Sequence, residues 1–250
     1  MVDKVAKQLA LQLNNVGVSY KVRSSLFRSN NYWALKNVSF NIYHGETLGV
    51  IGRNGVGKST LLRVIAGIMA PDKGSLVNTG VNASLLSLQV GFIPYLTGRE
   101  NAILSGMMLG VTKERMLSLM DEIYHYTDIG TFFDQPVRGY SSGMRARLGF
   151  SVAYYTEPDV LLIDEVLGVG DADFKEKSSE ALKKRIASNE TVVIVSHNVA
   201  TLEQLCDRVV WIEEGVVHME GNATDVIDAF KKNKGKPLPI VNANKVGNSQ

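Results

Sequence analysis

The sequence contains almost no cysteine: Cys206 is the single one among 250 residues. One cysteine excludes an intramolecular disulfide framework, and it fits a reducing compartment. We expect Cys206 to be a small buried side chain rather than a reactive thiol, because free cysteine usually packs as a small hydrophobic residue.

Long hydrophobic runs and an excess of charge are also absent. The most apolar segment, 102–111, has about half of the ~20 residues that a bilayer-spanning helix needs, and the first residues lack the pattern of a secretory signal. The net charge is only +2, without the basic stripe typical of nucleic-acid binding. We therefore expect a cytosolic protein with no nucleic-acid partner, whose link to any membrane comes through another protein.

The sequence is 45% hydrophobic, enough for a substantial core. Its hydrophobic pattern alternates between strand-like and helix-like segments. Strand-like segments lie at 11–20, 37–42, 46–51, 160–164 and 191–196, a closing hairpin at 208–220, and helix-like segments at 58–68, 98–157 and 222–232. Such alternation predicts a parallel α/β core. We expect one domain over 1–232, with a helical subdomain at about 98–157, and a loose tail over 233–250.

A glycine-rich loop follows the strand-like segment 46–51. The segment Gly52–Ser59, GRNGVGKS, fits the pattern G-x-x-x-x-G-K-[ST] of a phosphate-binding loop. Glycines let the backbone fold closely around phosphate oxygens, and the following helix adds its positive N-terminal end. We expect Lys58 to reach the β- and γ-phosphates of ATP and the Ser59 hydroxyl to ligate Mg²⁺. The remaining expected nucleotide contacts are Gly52, Asn54, Gly55, Gly57 and Thr60. An ordinary glycine-rich turn is the alternative.

An acidic pair, Asp164 and Glu165, follows the apolar strand 160–163. At the carboxyl end of a parallel strand, the pair would lie beside the phosphate-binding loop. We expect Asp164 to hold the Mg²⁺ shell and Glu165 to act as the general base that polarises the attacking water. Alone, such a pair is commonly a helix cap or a solvated turn, but the loop upstream favours catalysis.

The segment 140–144, YSSGM, opens a helix-like stretch about twenty residues before the acidic pair. It resembles the signature of ABC ATPases, usually written LSGGQ, in an altered form. The resemblance implies an α/β P-loop NTPase of the ABC type, with a mixed or antiparallel β subdomain and a helical subdomain. It also implies a homodimer that sandwiches two ATP molecules, in which Ser141 and Gly143 of one subunit face the phosphate-binding loop of the other.

Further positions match the family in the expected order. Asp171, in VLGVGD, matches the loop that contacts the opposing subunit, and His197, in VIVSHN, matches the histidine that contacts the γ-phosphate and joins Lys58 and Glu165 in the catalytic set. For stacking on adenine, Tyr20 is the best match and Trp33 is a rival.

One family element departs from its usual place. A glutamine normally follows the next strand, where it contacts Mg²⁺ and couples to the membrane partner. Here that position falls on Leu88, one residue before Gln89. We assign the role to Gln89, and the alternative is that another residue has replaced it.

The resemblance is closest to Wzt-type ATPases of O-antigen, capsule or teichoic acid export, over about residues 10–232. It rests on the phrases YWALKNVSF, GFIPYLTGREN, GYSSGMRARLGFSVA, DEVLGVGDADF and SHNVATLEQLCDRVVWIEEG. It implies two ATPase subunits on two permease subunits at the cytoplasmic face of the membrane, exporting a lipid-linked polysaccharide. An ABC ATPase for another substrate such as a lipid or drug, a non-transport ABC protein, and a small-molecule kinase remain alternatives.

The same resemblance implies three further features. The basic segment Lys21–Tyr32, with Leu26 and Phe27 between its charges, would be an amphipathic segment near the membrane or else a solvated surface loop. The surface around 85–110 would transmit closure of the ATPases to the permease. We expect no C-terminal carbohydrate-binding domain of the kind that some members of the subgroup carry.

Overall fold

A computed structural model describes residues 7–25, 28–86, 91–164 and 171–233. Four sequence-based expectations therefore lie outside the described residues. They concern Gln89 with its neighbour Leu88, the apolar pair Leu26 and Phe27, the proposed base Glu165, and the tail beyond Asn233. No helix in the described ranges is both long enough and apolar enough to cross a membrane.

Nine strands form a single sheet in the described part of the chain. They are β1 (Leu9–Ser25), β2 (Arg28–Tyr43), β3 (Thr47–Ile51), β4 (Lys73–Asn78), β5 (Ala83–Leu85), β6 (Val160–Asp164), β7 (Thr191–Val195), β8 (Arg208–Glu213) and β9 (Val216–Asn222). The order is β4-β1-β2-β9-β8-β3-β7-β6-β5. The run β8-β3-β7-β6-β5 is parallel throughout, whereas β1 pairs antiparallel with β2 and β4. The predicted parallel α/β core with an antiparallel β region is confirmed.

Eight α-helices accompany these strands in the same ranges. They are α1 (Lys58–Ile65), α2 (Gly98–Met108), α3 (Lys113–Ser118), α4 (Met120–Thr127), α5 (Ser142–Tyr155), α6 (Ala172–Ala187), α7 (Val199–Leu205) and α8 (Ala223–Lys232). Side-chain caps start most of them, because the first backbone N–H groups of a helix have no partner inside it. Thr97 and Glu100 form a full capping box on α2, and Ser141 caps α5. The helix-like middle segment 98–157 therefore contains α2 to α5.

Within the part of the chain that the structure describes, the buried apolar side chains form three clusters. One joins α1 to the sheet, with Leu48, Leu61 and Ile65 in it; a second includes Phe150, Phe174 and Leu182 beneath α5 and α6; a third lies among α2 to α5, around Met116, Ile123 and Phe133. The helical region thus has its own core beside the sheet.

The hairpin of β1 and β2 is longer than the sequence indicates. Strand character was predicted only to residue 20 and again from residue 37, but the ladder continues through Lys21↔Asn31 to Ser25↔Arg28. The described backbone of Lys21–Tyr32 is therefore paired strand and not the predicted surface loop. Hydrogen bonds between the two strands satisfy the backbone groups of such a ribbon, whatever the side chains are. A polar sequence can therefore form the ribbon without the alternating apolar residues by which a strand is predicted.

Cys206 lies just after α7, at its C-cap. Burial, with a smaller contribution from Asp207, raises the pKa of the Cys206 thiol to about 12. The thiol therefore stays protonated near neutral pH, and nucleophilic reactivity needs the thiolate. Cys206 is half-buried and packs against the second apolar cluster, so the expectation of an unreactive side chain agrees with this environment, whereas the expected full burial does not.

An ion pair joins Glu46, the residue before β3, to Arg208 at the start of β8. The Arg208 guanidinium donates from Nη2 to Oε1 of Glu46 at 2.8 Å and from Nε to Oε2 at 3.3 Å. The Glu46 side chain is only 2% exposed, and its Oε1 also accepts from the backbone N–H of Tyr43 at 2.9 Å. Because the Glu46 carboxylate is buried, the ion pair with Arg208 offsets the cost of removing that carboxylate from water.

Replacing Arg208 with methionine should destabilise the protein, because it leaves the Glu46 carboxylate buried without its main cation. We expect Arg208→Met to lower the free energy of unfolding in urea by about 3–5 kcal/mol. The control Lys231→Met breaks the ion pair with Glu203, whose two side chains are 45% and 38% exposed, and it should have a much smaller effect. A loss below about 1 kcal/mol for Arg208→Met would place this pair among ordinary surface pairs.

Candidate nucleotide site

The predicted phosphate-binding loop joins β3 to α1. Gly57 stands at the N-cap of α1 with φ +97°, in the left-handed region that glycine favours. A Cβ at Gly57 would collide with the carbonyl oxygen of Ala34, and one at Gly52 with the carbonyl oxygen of Ile212. The loop thus lies against two other strands so closely that only glycine fits at these positions.

The Lys58 side chain binds the backbone of the loop. Its Nζ donates to the carbonyl oxygens of Gly52 at 2.9 Å and Arg53 at 3.0 Å. Burial lowers the pKa of Lys58, and the nearby carboxylates of Asp164 and Glu213 oppose that effect. The ammonium group is thus held against the loop backbone, and Asp164 is close enough to interact with it.

A cavity of about 400 Å³ opens over the loop. Its walls contain eight residues expected from the sequence to act here, together with Tyr32 and Ala34. The expected residues are Tyr20, Asn54, Gly55, Gly57, Lys58, Ser59, Thr60 and Asp164. The structure therefore brings the loop, the start of α1 and the carboxylate that ends β6 together around one space.

Two tyrosines face each other across the β1–β2 ladder at this cavity. Tyr20 and Tyr32 are register partners. The Tyr20 hydroxyl lies 3.1 Å from Oγ1 of Thr60, and the Tyr32 hydroxyl donates to the carbonyl oxygen of Gly55 at 2.9 Å. Tyr32 is a site residue that the sequence did not reveal, because only the extended hairpin places it opposite Tyr20. Trp33 instead lies beneath the ammonium of Lys73, 4.5 Å from its ring centroid.

The order of the strands arranges the remaining predicted residues at the same sheet edge. β7 lies between β3 and β6, and Asp164 is paired with Val195 at the carboxyl ends of β6 and β7. His197 follows β7 and is exposed. Parallel strands end at a common edge, so the phosphate-binding loop, His197 and Asp164 leave the sheet on the same side.

A second depression, of about 290 Å³, lies at the start of α5 and α6. It is lined by Asp128, Ile129, Phe132, Ser141, Met144, Arg147 and Asp171. Oγ of Ser141 accepts from the N–H of Met144 at 3.1 Å. A Cβ at Gly143 would meet only Oγ of Ser141, at 3.7 Å, so the backbone there is open to an approaching group. This second surface, which we call the Ser141 surface, contains Ser141, Gly143 and Asp171. It is separate from the phosphate-binding loop, which we call the lysine loop after Lys58.

The first cavity has the chemistry of a triphosphate site. It combines glycine backbone, the N-terminal end of α1 and the Lys58 ammonium, which bind phosphate oxygens. The Ser59 hydroxyl and Asp164 carboxylate beside them are oxygen ligands of the kind that Mg²⁺ takes in such sites. A loop of this kind at the carboxyl edge of a parallel sheet defines a P-loop nucleotide-binding protein.

The family model of the ABC transporter matches residues 35–168, more than half of the chain. The chain belongs to the ABC transporter family, and it is an ATP-binding ATPase. It is similar to the O-antigen export system ATP-binding protein RfbB of Klebsiella pneumoniae, with 44% identity over 83% of this chain and 84% of that protein. The teichoic acids export ATP-binding protein TagH of Listeria monocytogenes is 41% identical over 81% of this chain and 60% of its own length.

Solved structures give the same fold. The dimer of the ATP-binding cassette MJ0796 bound to ADP and Pi, in a post-hydrolysis state, aligns with 85% of this chain and 98% of its own at a TM-score of 0.67 and 25% identity. The ATP-binding subunit of an ABC transporter covers 89% of this chain at a TM-score of 0.70 and 21% identity. The expected ABC-type fold is confirmed.

Proposed function

We propose that this chain is the ATP-hydrolysing subunit of an ABC exporter that moves a lipid-linked polysaccharide across the cytoplasmic membrane. The similarity to RfbB carries this proposal, because it extends over most of both proteins at 44% identity and RfbB is named for O-antigen export. The similarity to TagH, named for teichoic acid export, supports the same class of cargo. An exporter of another lipid or of a drug is the second candidate.

Two copies would meet head to tail, each ATP lying between the lysine loop of one and the Ser141 surface of the other. The two depressions of this chain support that arrangement, because each offers groups that could bind a triphosphate from one side. The loop side offers Lys58 and the start of α1, and the other side offers the start of α5 with Gly143 open above it. The dimeric state of MJ0796 is consistent with it.

Within each site we assign the chemistry as follows. Lys58 and the loop bind the β- and γ-phosphates, His197 contacts the γ-phosphate, and Glu165 polarises the attacking water. Ser59 and Asp164, with Gln89, would hold Mg²⁺, which when bound neutralises charge on the phosphate oxygens. Loss of the γ-phosphate would release the Ser141 surface and let the dimer open.

For the adenine ring we assign the tyrosine pair instead of Trp33. Tyr20 and Tyr32 both line the cavity, whereas Trp33 contacts Lys73. A ring stacked on either tyrosine would extend from the phosphates along the β1–β2 hairpin. The hydrogen bond from Tyr32 to Gly55 would join base recognition directly to the loop.

The permease would dock on the face formed by α1, β5 and the end of α2. A cavity of about 580 Å³ lies there, and its lining is mainly apolar but includes Arg63. Ile68 and Met108 are 67% and 62% exposed beside it, and exposed apolar surface of this kind commonly marks a protein interface. Two ATPase subunits, each with one domain spanning residues 1–232, would bind two permease subunits at the cytoplasmic face of the membrane.

Replacing the proposed base tests the mechanism. Glu165→Gln removes the carboxylate while keeping the shape of the side chain, so ATP binding should persist and ATP turnover should fall about a thousandfold. Steady-state phosphate release and equilibrium ATP binding measure the two quantities separately. Turnover at the parental rate would show that Glu165 is not the base.

The cargo is tested with the whole exporter. The chain is co-purified with its permease, reconstituted in lipid, and assayed for ATP hydrolysis with a lipid-linked polysaccharide, the free polysaccharide and the lipid carrier alone. We expect stimulation by the lipid-linked polysaccharide and not by either part. Stimulation by the lipid carrier alone would favour the second candidate. The Glu165→Gln variant gives the background rate.

A further inference from the structure

Arg147, in the second turn of α5, is a charged side chain that is only 15% exposed. Its Nη2 donates to both carboxylate oxygens of Asp171, at 2.7 Å and 2.6 Å. Its Nη1 donates to the backbone oxygen of Thr127 at 3.4 Å and lies 3.6 Å from Oδ2 of Asp128. One guanidinium thus connects α5 to the end of α4 and to the start of α6.

The contact fixes the start of α6 in particular. Oδ1 of Asp171 also accepts from the N–H of Phe174 at 3.1 Å, which makes Asp171 the N-cap of α6. The hydrogen bonds from Arg147 hold the pKa of Asp171 below its usual value. The guanidinium carbon lies 5.0 Å from the ring centroid of Phe174, so the arginine is also stacked in place. The Asp171 carboxylate is therefore engaged within its own chain.

Arg147 stands where the proposed dimer would receive the partner's nucleotide. It lines the same depression as Ser141 and Met144. Two carboxylates, Asp128 and Asp171, face this depression and are 81% and 56% exposed. Among the described lining residues Arg147 is the one cation. Without it, two negative charges would lie beside the place where a γ-phosphate must approach.

We propose that Arg147 is a positioning residue that holds the starts of α5 and α6 in one dimer-competent arrangement and neutralises the carboxylates beside the incoming phosphate. The inference rests on the proposed head-to-tail dimer. Arginine suits the role because its planar fork reaches several acceptors at once, which a lysine ammonium does not. The sequence gives no sign of it, since Arg147 reads as one more polar residue on a helix.

The test uses the full chain in the Glu165→Gln background, so that ATP is retained. Arg147→Lys and Arg147→Gln are compared with Glu165→Gln alone by sedimentation at rising protein concentration with ATP and Mg²⁺. We expect the dimer dissociation constant to rise about tenfold for the lysine variant and more for the glutamine variant. ATP affinity of the monomer, measured at low protein concentration, should change less than about twofold, because its loop lies elsewhere.

The matched control is Arg115→Gln, which removes an arginine from α3 whose partner Glu157 is 3.8 Å away and mostly exposed. It should leave dimerisation unchanged. Asp171→Asn keeps a capping side chain but removes the charge, so combining it with Arg147→Gln should give less than the sum of the two separate effects. Full additivity would overturn the proposed link between the two side chains.

The outcomes separate this inference from the proposed function. If Glu165→Gln alone stays monomeric with ATP, the head-to-tail dimer is wrong and the inference falls with it. If it dimerises and both Arg147 variants dimerise equally well, only the role of Arg147 is refuted. If Arg147→Lys loses thermal stability, ATP affinity and dimerisation in parallel, the role of Arg147 is merely structural and the proposal is wrong. If Arg147→Gln does not fold, the dimer dissociation constant of Arg147→Lys alone tests the proposal.

Discussion

The turn from β3 into α1 is the constraint on which the other parts of the site depend. Gly52 and Gly57 lie so close to the carbonyl groups of Ile212 and Ala34 that neither position has room for a Cβ. The turn is therefore formed jointly by the β8 and β2 backbones and by its own glycines. Lys58 then lies across it, bonded to two of its carbonyl oxygens. The proposed phosphate-binding loop and the assembly of the sheet therefore depend on the same close packing.

The strand order determines what can surround that turn. Because β7 separates β3 from β6, His197 and Asp164 leave the sheet at neighbouring positions along one edge. The antiparallel β1–β2 hairpin adds Tyr20 and Tyr32 from the other side. The helical region, with its own core of Met116, Ile123 and Phe133, carries a second polar surface at Ser141 that the chain does not use on its own phosphate-binding loop. This separation is consistent with the proposed sharing of each ATP between two copies.

The sequence predicted the parts of the site that are contiguous in the chain. The loop Gly52–Ser59, Asp164 at the end of β6 and the capping Ser141 each carry a local pattern with a chemical reason. Tyr32 and Arg147 carry no such pattern, because the role proposed for each depends on a partner distant in the sequence. Tyr32 pairs with Tyr20 across the ladder, and Arg147 binds Asp171 at the start of another helix. The polar hairpin was missed for a related reason, since pairing between its strands replaces the apolar alternation by which strands are recognised.

The central claim, that each ATP is clamped between two copies, is tested most directly by mixing two inactive variants. Lys58→Ala removes the ammonium group from the phosphate-binding loop. Gly143→Asp places a carboxylate where the γ-phosphate would bind, in space that the backbone leaves open. Neither variant alone should trap ATP in the Glu165→Gln background, whereas a heterodimer isolated with two affinity tags has one site whose loop and Ser141 surface are both intact. The account predicts a single trapped ATP per heterodimer. No trapped ATP in that heterodimer, together with retention in a heterodimer that carries both changes on one chain, would contradict it.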